Sequence, residues 1–222
     1  QAIDSAGLHS RTMRNLSVPA GTMVAPMVHG WSKALDERAA KYDVEAAKKL
    51  LADAGYPQGF ALKLDCPNDR YVNDEAICQA VTAMWTRIGV KTTLQAAPMA
   101  QFVTRVMNND VSAYLFGWGV ATFDALYSLE ALMATKDGKT SAGNYNGGRF
   151  SDATLDGMIG QIKVEMDAAK RDALLAQALQ RVKDGYYYIP LHHQIRPWAM
   201  RKNVETPHRA DDRPMPTWTT IK

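Results

Sequence analysis

The sequence lacks the features that identify membrane-spanning and nucleic-acid-binding proteins. No apolar run approaches the roughly 20 residues that a transmembrane helix needs. The net charge is only +3, and the lysines and arginines form no basic run of the kind that binds nucleic acid. The residues after Gln1 do not show the charged and apolar regions of a signal peptide. Hydropathy and charge therefore argue against a membrane span and give no support for a nucleic-acid partner.

The motifs that mark common enzymes are also missing. Gly117-Trp-Gly119 has neither the spacing nor the lysine of a phosphate-binding loop, and no HExxH or G-x-S-x-G motif occurs. His192 and His193 are adjacent in a predicted extended segment, so their side chains point to opposite faces and do not readily chelate one metal together. The sequence therefore predicts no catalytic residues, no metal ligands and no cofactor. A hydrolase that uses Asp124 or a serine is the weakest of the functional hypotheses.

Cysteine is scarce in this chain. Cys66 and Cys78 are its two cysteines, and their spacing matches neither a zinc site nor a CxxC redox motif. One is predicted at a strand end and the other in the following helix, where they could form a bridge in an oxidising compartment. A pair of inert buried thiols is the favoured interpretation, because free cysteine is among the most buried residue types.

The composition and the periodicity are those of a globular α/β protein. Hydrophobic residues make up 46% of the chain and charged residues 22%, which disfavours disorder. Residues 61–66 alternate as a strand, a helix capped by Asn73 or Asp74 follows, and residues 90–96 form the next strand. This unit predicts two parallel strands joined by a right-handed helical crossover.

Further helices are predicted on both sides of this unit, and most begin at cap-forming residues. They cover residues 2–15, residues 43–54 with an inward apolar face, residues 98–107, residues 125–134, a segment capped by Ser151, and a segment from Asp167 to Gly185. The remaining segments are an irregular loop opening at residues 18–21, a polar surface loop at 136–149, extended segments at 186–195 and 198–200, and a tail without elements from Thr206. The predicted fold class is α/β, helix-rich, with a small mixed sheet flanked by helices.

The stretch 113–124 is the most informative part of the sequence. Residues 113–116 form an apolar run typical of a strand that is covered on both faces. Gly117 and Gly119 flank Trp118, so the backbone can turn sharply there. Because α/β sheets bind ligands at the carboxyl ends of their strands, the indole ring is well placed to contact a ligand. The alternative is that Trp118 is an ordinary core residue.

Several strand-end and loop residues carry side chains suited to the recognition of a polar solute. Aromatic rings supply rigid contact area, while amides and charges orient a ligand. The candidate ligand-binding residues are Arg70, Tyr71, Trp118, Gly119, Thr122, Asp124, Tyr145, Asn146 and Arg149. For the two arginines, Tyr145 and Asn146 the alternative is an ordinary solvent-exposed loop. For Asp124 the alternative is a helix N-cap, a role that is compatible with ligand contact.

One long motif, Tyr42-Asp-Val-Glu-Ala-Ala-Lys-Lys-Leu-Leu-Ala-Asp-Ala-Gly-Tyr-Pro57, is accompanied by several shorter ones. It resembles a hallmark of the extracellular solute-binding proteins of family 5, the peptide- and nickel-type binding components of ABC importers. The shorter motifs, which follow the order of that family, are Val18-Pro-Ala-Gly21, Arg70-Tyr-Val-Asn-Asp74, Ile88-Gly-Val-Lys91, Phe116-Gly-Trp-Gly119, residues 145–155, Ala168-Ala-Lys-Arg171, Ile189-Pro-Leu-His-His193 and Trp198-Ala-Met-Arg201. The resemblance covers nearly the whole chain.

The resemblance implies a domain organisation. Family members have two lobes around a cleft, and this chain is similar only to their carboxyl-terminal part. It is therefore expected to form one lobe of a periplasmic-binding-protein type II fold, with the amino-terminal lobe missing from this sequence. Residues 1–41 would be a first helix and an irregular loop, residues 42–185 the α/β core of the lobe, and residues 186–222 a return segment near the hinge and a tail.

The resemblance also implies capture of a solute and not catalysis. Two lobes close on a peptide or small-molecule ligand by hinge bending, with Tyr188, Pro190 and His192 expected at the hinge. The closed form is then presented to the transmembrane subunits of an ABC permease. In peptide-binding relatives an aspartate shortly after the Gly-Trp pair holds the amino terminus of the ligand, and Ala121 stands at that position here. A peptide leads as the ligand class, and a sugar, an opine or another polar solute is the alternative.

Such a binding protein is expected in the periplasm, or outside the cell on a membrane anchor in a Gram-positive organism. The same lobe could instead serve as the ligand-sensing domain of a receptor or a transcription regulator. Attached DNA-binding or membrane segments would distinguish the two roles. The isolated lobe should fold but bind ligand weakly, because half of the cleft is absent.

Overall fold

The computed structural model describes residues 1–222, and its main sheet is a parallel one of three strands. Strands β2 (Ala61–Pro67), β3 (Lys91–Ala97) and β4 (Ala113–Tyr114) lie in the order β3-β2-β4. β2 pairs with β3 along its whole length and with β4 at only two positions. The predicted parallel pair is confirmed. The strand predicted at 113–116 is wrong in length, because the last backbone bond to β2 is donated by Leu115 and the chain then leaves the sheet.

Eight helices surround the sheets. They are α1 (Ser5–Gly7, continued by a π-helical turn Leu8–Thr12), α2 (Lys33–Asp36), α3 (Val44–Asp53), α4 (Asp74–Arg87), α5 (Met99–Met107), α6 (Ala125–Ser128, continued by a π-helical turn Leu129–Met133), α7 (Ala153–Val164) and α8 (Ala168–Asp184). None of them combines the length and the apolar character that crossing a bilayer requires.

Aspartate side chains begin five of these helices by accepting backbone N–H groups of the first turn, as N-caps do. The five are Asp4 on α1, Asp43 on α3, Asp124 on α6, Asp152 on α7 and Asp167 on α8. The cap predicted at Ser151 is wrong by one residue. The carboxylate of Asp152 accepts from the N–H groups of Thr154 and Leu155 at 3.1 and 3.2 Å, which a hydroxyl one residue earlier does not do.

Two antiparallel pairs lie outside the main sheet. β1 (Ser17–Pro19) pairs with β5 (His192–Gln194), and β6 (Val204–Glu205) pairs with β7 (Thr220–Ile221). The α/β fold class is confirmed, although its mixed character is divided among three small sheets. The irregular loop predicted at β1 and the featureless tail predicted from Thr206 are wrong, since these short strands depend on partners far away in sequence.

Buried apolar side chains form two separate cores. The first core joins α6, α7 and α8 to the segment 24–35, and its largest fully buried members include Leu129, Leu155 and Leu179. The second core joins α1 and its π-helical extension to β2 and α4. Helix α3 belongs to neither core. Its predicted inward face is wrong, because Ala47 alone is buried and the side chain of Leu50 is 57% exposed.

Cys66 and Cys78 form a disulfide within the second core. The prediction of two free thiols is therefore wrong. Helix α4 packs back over the carboxyl end of β2, so a residue in its second turn meets Cys66, and both cysteines are fully buried. Structural disulfides are typical of proteins in oxidising compartments.

Candidate ligand-binding face

Six aromatic rings form one cluster where the chain leaves β4. The ring of Trp118 lies 5.3 Å from that of Tyr127, 5.0 Å from that of Tyr145 and 6.2 Å from that of Phe116, measured between centroids. Phe116 continues the cluster inward to the rings of Tyr114 and Phe102. We call this aromatic cluster the set Phe102, Tyr114, Phe116, Trp118, Tyr127 and Tyr145. Such pairs gain energy beyond the area that they bury.

Trp118 is partly buried in the aromatic cluster, between two rings that face solvent. Tyr127 and Tyr145 are 37% and 38% exposed, whereas the Nε1 atom of Trp118 is buried and has no hydrogen-bond partner. Trp118 thus packs on one side and borders an exposed aromatic surface on the other, and its contact with a ligand stays a prediction. Sequence reasoning missed Tyr127. Its position three residues after the cap at Asp124, in the first turn of α6, was the available signal.

Tyr71 reaches the same place from the loop after β2. Its hydroxyl donates a hydrogen bond to the carbonyl oxygen of Gly117 at 3.1 Å, directly before Trp118. Burial raises the pKa of the Tyr71 hydroxyl above its usual value, so the group remains a protonated donor at neutral pH. The loops after β2 and β4 therefore meet at the carboxyl edge of the sheet.

The two glycines beside Trp118 differ in the space available for a side chain. A Cβ atom at Gly117 would lie 2.7 Å from Cε1 of Tyr71, whereas one at Gly119 would have no neighbour within 4 Å. We expect Gly117→Ala to displace the Tyr71 ring and to lower the free energy of unfolding by about 1–3 kcal/mol. Gly119→Ala is the matched control and should stay within about 0.5 kcal/mol of the unmodified chain. Urea unfolding measures both, and equal effects of the two substitutions would contradict the close packing at Gly117.

The carboxylate of Asp124 is already bonded to other groups of the protein. Its carboxylate accepts hydrogen bonds from Nη1 and Nη2 of Arg171 at 2.8 and 3.0 Å and from the N–H of Leu126 at 2.9 Å. Nδ1 of His29 lies 3.3 Å from the same carboxylate. Burial alone would raise the pKa of Asp124, but the bonds from Arg171 and Leu126 outweigh it, and the pKa lies below its usual value. The charge of Asp124 is therefore neutralised within the protein, and its role as a helix N-cap is confirmed.

Asn146 holds the loop that carries Tyr145. Its side chain is buried, and Nδ2 donates to the carbonyl oxygens of Ala134 and Phe150 at 3.1 and 2.9 Å. The alternative that Asn146 belongs to an ordinary solvent-exposed loop is therefore wrong for this side chain. The amide fixes the loop by its ends, so that the Tyr145 ring is presented to Trp118.

The remaining candidates lie on the exposed rim of the aromatic cluster and its neighbouring loops. Thr122 and Gly119 are exposed, and Oγ1 of Thr122 accepts the N–H of Asp124 at 3.4 Å. Arg70 is exposed, with its guanidinium 5.7 Å from the centre of the Tyr71 ring. Arg149 is exposed and has a left-handed backbone, with φ of 53°. No carboxylate lies within salt-bridge distance of either arginine, so both cationic groups are open to a ligand.

The three predicted hinge residues lie in or before β5, which pairs with β1. The carbonyl oxygen of Pro190 accepts a hydrogen bond from Arg38, which also donates to that of Ala20. Burial raises the pKa of Tyr188 to about 12, and burial lowers the pKa of His192, so both groups are uncharged at neutral pH. The hinge role of these three residues stays a prediction.

One small cavity lies beside the aromatic cluster. The cavity beside Tyr145 has a volume of about 10 Å³, about that of a single water. A larger one of about 410 Å³ lies in the tail, between Met200 and Trp218, and the tail carries no predicted site residue. No group of three or more His, Cys, Asp and Glu side chains is arranged to hold a metal. The chemistry available at the aromatic cluster is stacking, hydrogen bonding and charge pairing on an open face.

A family described as "Bacterial extracellular solute-binding proteins, family 5 Middle" matches residues 1–140. Among curated proteins, the chain is 26% identical over 202 residues to heme-binding protein A of Haemophilus influenzae, covering 87% of this chain and 35% of that protein. It is 27% identical over 177 residues to a dipeptide-binding protein of Pseudomonas aeruginosa, covering 78% of this chain and 32% of that protein. The chain thus spans about a third of the length of these relatives.

Solved structures share the whole fold of this chain. The dipeptide-binding protein of Pseudoalteromonas sp. SM9913 in complex with Met-Leu superposes with a TM-score of 0.85 and 17% identity, covering 100% of this chain and 43% of that one. HbpA2 of Haemophilus parasuis gives a TM-score of 0.82 and 22% identity, covering 100% and 43%. These likenesses confirm the fold as part of a periplasmic-binding-protein type II fold.

Proposed function

Because the chain belongs to the bacterial extracellular solute-binding proteins of family 5, we propose that it forms one lobe of an ABC-importer component that captures a small solute. The observation that carries this proposal is the aromatic cluster at the carboxyl edge of the parallel sheet. Two half-exposed tyrosines flank Trp118 there, and the cavity beside Tyr145 has a volume of only about 10 Å³. An open aromatic face of this kind is half of a cleft, and a second lobe completes it by closing over the ligand.

Charge on this face favours a peptide or a similar solute that carries an acidic group. Asp124 is neutralised by Arg171, and Ala121 stands where peptide-binding relatives carry the aspartate that holds a free amino terminus. Arg70 and Arg149 remain unpaired and exposed. Cationic groups beside aromatic rings suit a carboxylate attached to an apolar body. The ligand is thus held by its acidic end and its side chains more than by an amino terminus.

The whole protein would then contain an amino-terminal lobe and would deliver its ligand to the transmembrane subunits of an ABC permease. The relatives support this, since each is about two and a half times as long as this chain. The disulfide supports a periplasmic or other extracellular location, where such bonds persist. In this proposal residues 42–185 provide the binding face, and residues 186–222 return from the hinge. No feature favours the alternative of a sensing domain.

Three peptides test the ligand class on this chain. Met-Leu, N-acetyl-Met-Leu and Met-Leu amide would be titrated while ¹H–¹⁵N spectra record the indole N–H signals. We expect the first two to shift the Trp118 signal at millimolar concentration and the amide, which lacks the carboxylate, to bind at least several-fold more weakly.

Trp118→Ala should weaken binding of Met-Leu by roughly 30-fold, which corresponds to about 2 kcal/mol for an aromatic side chain that contacts the ligand. Trp198→Phe, a change in the remote tail, is the matched control and should leave the affinity unchanged. Shifts confined to the tail, or equal affinity of the Trp118→Ala variant, would return Trp118 to a purely structural role.

A further inference from the structure

The loop between β2 and α4 is closed at its base by the disulfide of Cys66 and Cys78. These residues are 12 apart in sequence, one near the end of β2 and the other in the second turn of α4. The enclosed loop carries Arg70 and Tyr71, two residues of the proposed binding face. The cysteines are fully buried in the second core, so they anchor both ends of the loop to that core.

Asp74 is a second residue that holds the backbone of this loop in place. Its buried carboxylate accepts the N–H groups of Arg70 and Tyr71, both at 3.0 Å. The carbonyl oxygen of Asp74 lies 3.3 Å from Sγ of Cys66, and this is a packing contact because a bridged sulfur carries no hydrogen. The disulfide therefore touches the residue that fixes the backbone of Tyr71, and its constraint reaches that backbone through a single neighbour.

Tyr71 links the constrained loop to the backbone next to Trp118. Its hydroxyl is bonded to the carbonyl oxygen of Gly117, and its ring fills the space in which a Cβ atom of Gly117 would lie. Gly117 is joined directly to Trp118, whose Nε1 is buried without a partner. The orientation of the Trp118 indole therefore depends on the position of the Tyr71 side chain.

We propose that the Cys66–Cys78 disulfide is a positioning element of the ligand-binding face, which acts through Asp74 and Tyr71 on Trp118. The inference rests on the proposed function in so far as Trp118 contacts the ligand. A face that is ordered before binding does not lose conformational entropy when the ligand arrives. Without the bridge, Tyr71 and the indole sample several positions, and part of the binding free energy is used to order them.

The test compares the unmodified chain with the double variant Cys66→Ala/Cys78→Ala. Indole N–H exchange with water is measured by NMR, with the Trp118 signal assigned by its loss in Trp118→Phe. We expect faster exchange at Trp118 in the double variant. The indoles of Trp31 and Trp198, which donate to Asp36 and Asp212, should not change. Affinity for Met-Leu should fall by roughly three- to tenfold, as expected when one more side chain is ordered on binding.

Two further variants separate positioning from general loss of stability. Ile162→Ala removes a buried side chain of the first core and should lower the melting temperature without altering the Trp118 signal. Tyr71→Phe keeps the disulfide and removes the bond to Gly117, so it should reproduce the faster exchange even if the double cysteine variant does not fold. Combining Tyr71→Phe with the cysteine changes should add little, because both act along one path.

The outcomes distinguish this inference from the proposed function. Unchanged Trp118 exchange in either the double cysteine variant or Tyr71→Phe overturns the positioning role, whatever the ligand. An equal change in Ile162→Ala also overturns it. If Trp118 exchange responds as expected but none of the peptides shifts the Trp118 signal in the unmodified chain, the positioning role stands and the proposed peptide function fails.

Discussion

Replacing Asp65 by Ala should lower the free energy of unfolding by about 3–5 kcal/mol, the cost of leaving one member of a buried ion pair alone. Asp65 lies in β2 with its side chain 0% exposed, and Nε of Arg105 on α5 donates to its Oδ1 at 2.7 Å. Nζ of Lys63 is 3.8 Å from Oδ2. This pair fastens α5 to the sheet beneath the aromatic cluster.

The large cost arises from Arg105 more than from the lost hydrogen bond. The Arg105 side chain is only 17% exposed, and its Nη2 has no partner even in the intact protein. Without the carboxylate, the guanidinium stays buried and uncompensated, or α5 moves to bring it to water. Both responses are destabilising.

Urea unfolding of three variants measures this effect. Asp65→Ala and Arg105→Met should each be strongly destabilised, while Asp65→Leu with Arg105→Met should recover much of the loss, since replacing a buried pair by apolar residues is often neutral. A double variant as unstable as the sum of the single changes, or a cost of Asp65→Ala below about 1 kcal/mol, would contradict a buried, coupled pair.

Asp152 should give the second large effect, because it connects three segments of the first core. Its carboxylate caps α7, forms two bonds with Arg181 of α8 and accepts the hydroxyl of Tyr187 at 2.7 Å. Asp152→Ala should cost roughly 3 kcal/mol, the sum of a lost cap and a broken ion pair, discounted because Arg181 is 41% exposed. Asp167→Asn is the matched control, since Asp167 caps α8 by one bond and asparagine caps equally well.

The same network makes the stability depend on pH in a defined direction. Bonds from Arg181, and then from Tyr187 and the N–H of Leu155, hold the pKa of Asp152 well below its usual range, against the opposing effect of burial. A depressed pKa stabilises the fold above the unfolded value of about 3.9, and this contribution is lost as the pH falls below about 4. Urea unfolding at neutral pH and near pH 3 should show a smaller loss in Asp152→Asn than in the unmodified chain. An equal loss in both would contradict this assignment.

Local pattern was sufficient to predict the β2–α4–β3 unit and the caps at Asp43, Asp124 and Asp167. Each of these depends on residues that are neighbours in sequence, and the placement of Trp118 at the carboxyl edge follows from the glycines beside it. The strands β1, β6 and β7 could not be predicted, because their pairing is decided by a partner that lies far along the chain. Short edge strands carry little pattern of their own.

Other features of the ligand-binding face depend on contacts between residues that are far apart in sequence, which residue spacing cannot predict. Arg171 lies 47 residues from Asp124, and its two bonds turn a candidate ligand contact into a neutralised cap. The contact of Tyr71 with Gly117 spans 46 residues. Sequence pattern also gave no distance between Cys66 and Cys78, so free thiols were predicted where a disulfide exists.

The two separate cores can form only in a fixed order as the chain is synthesised. All nine buried members of the second core, from Ile3 to Met84, are available once Met84 has left the ribosome. The first core cannot close until Val182 has appeared, although its member Val24 is made well before Met84. The segment 24–35 therefore remains uncovered while some 150 residues are added, at about 5–20 residues per second. During that interval this apolar segment is the part of the nascent chain that a chaperone would have to shield.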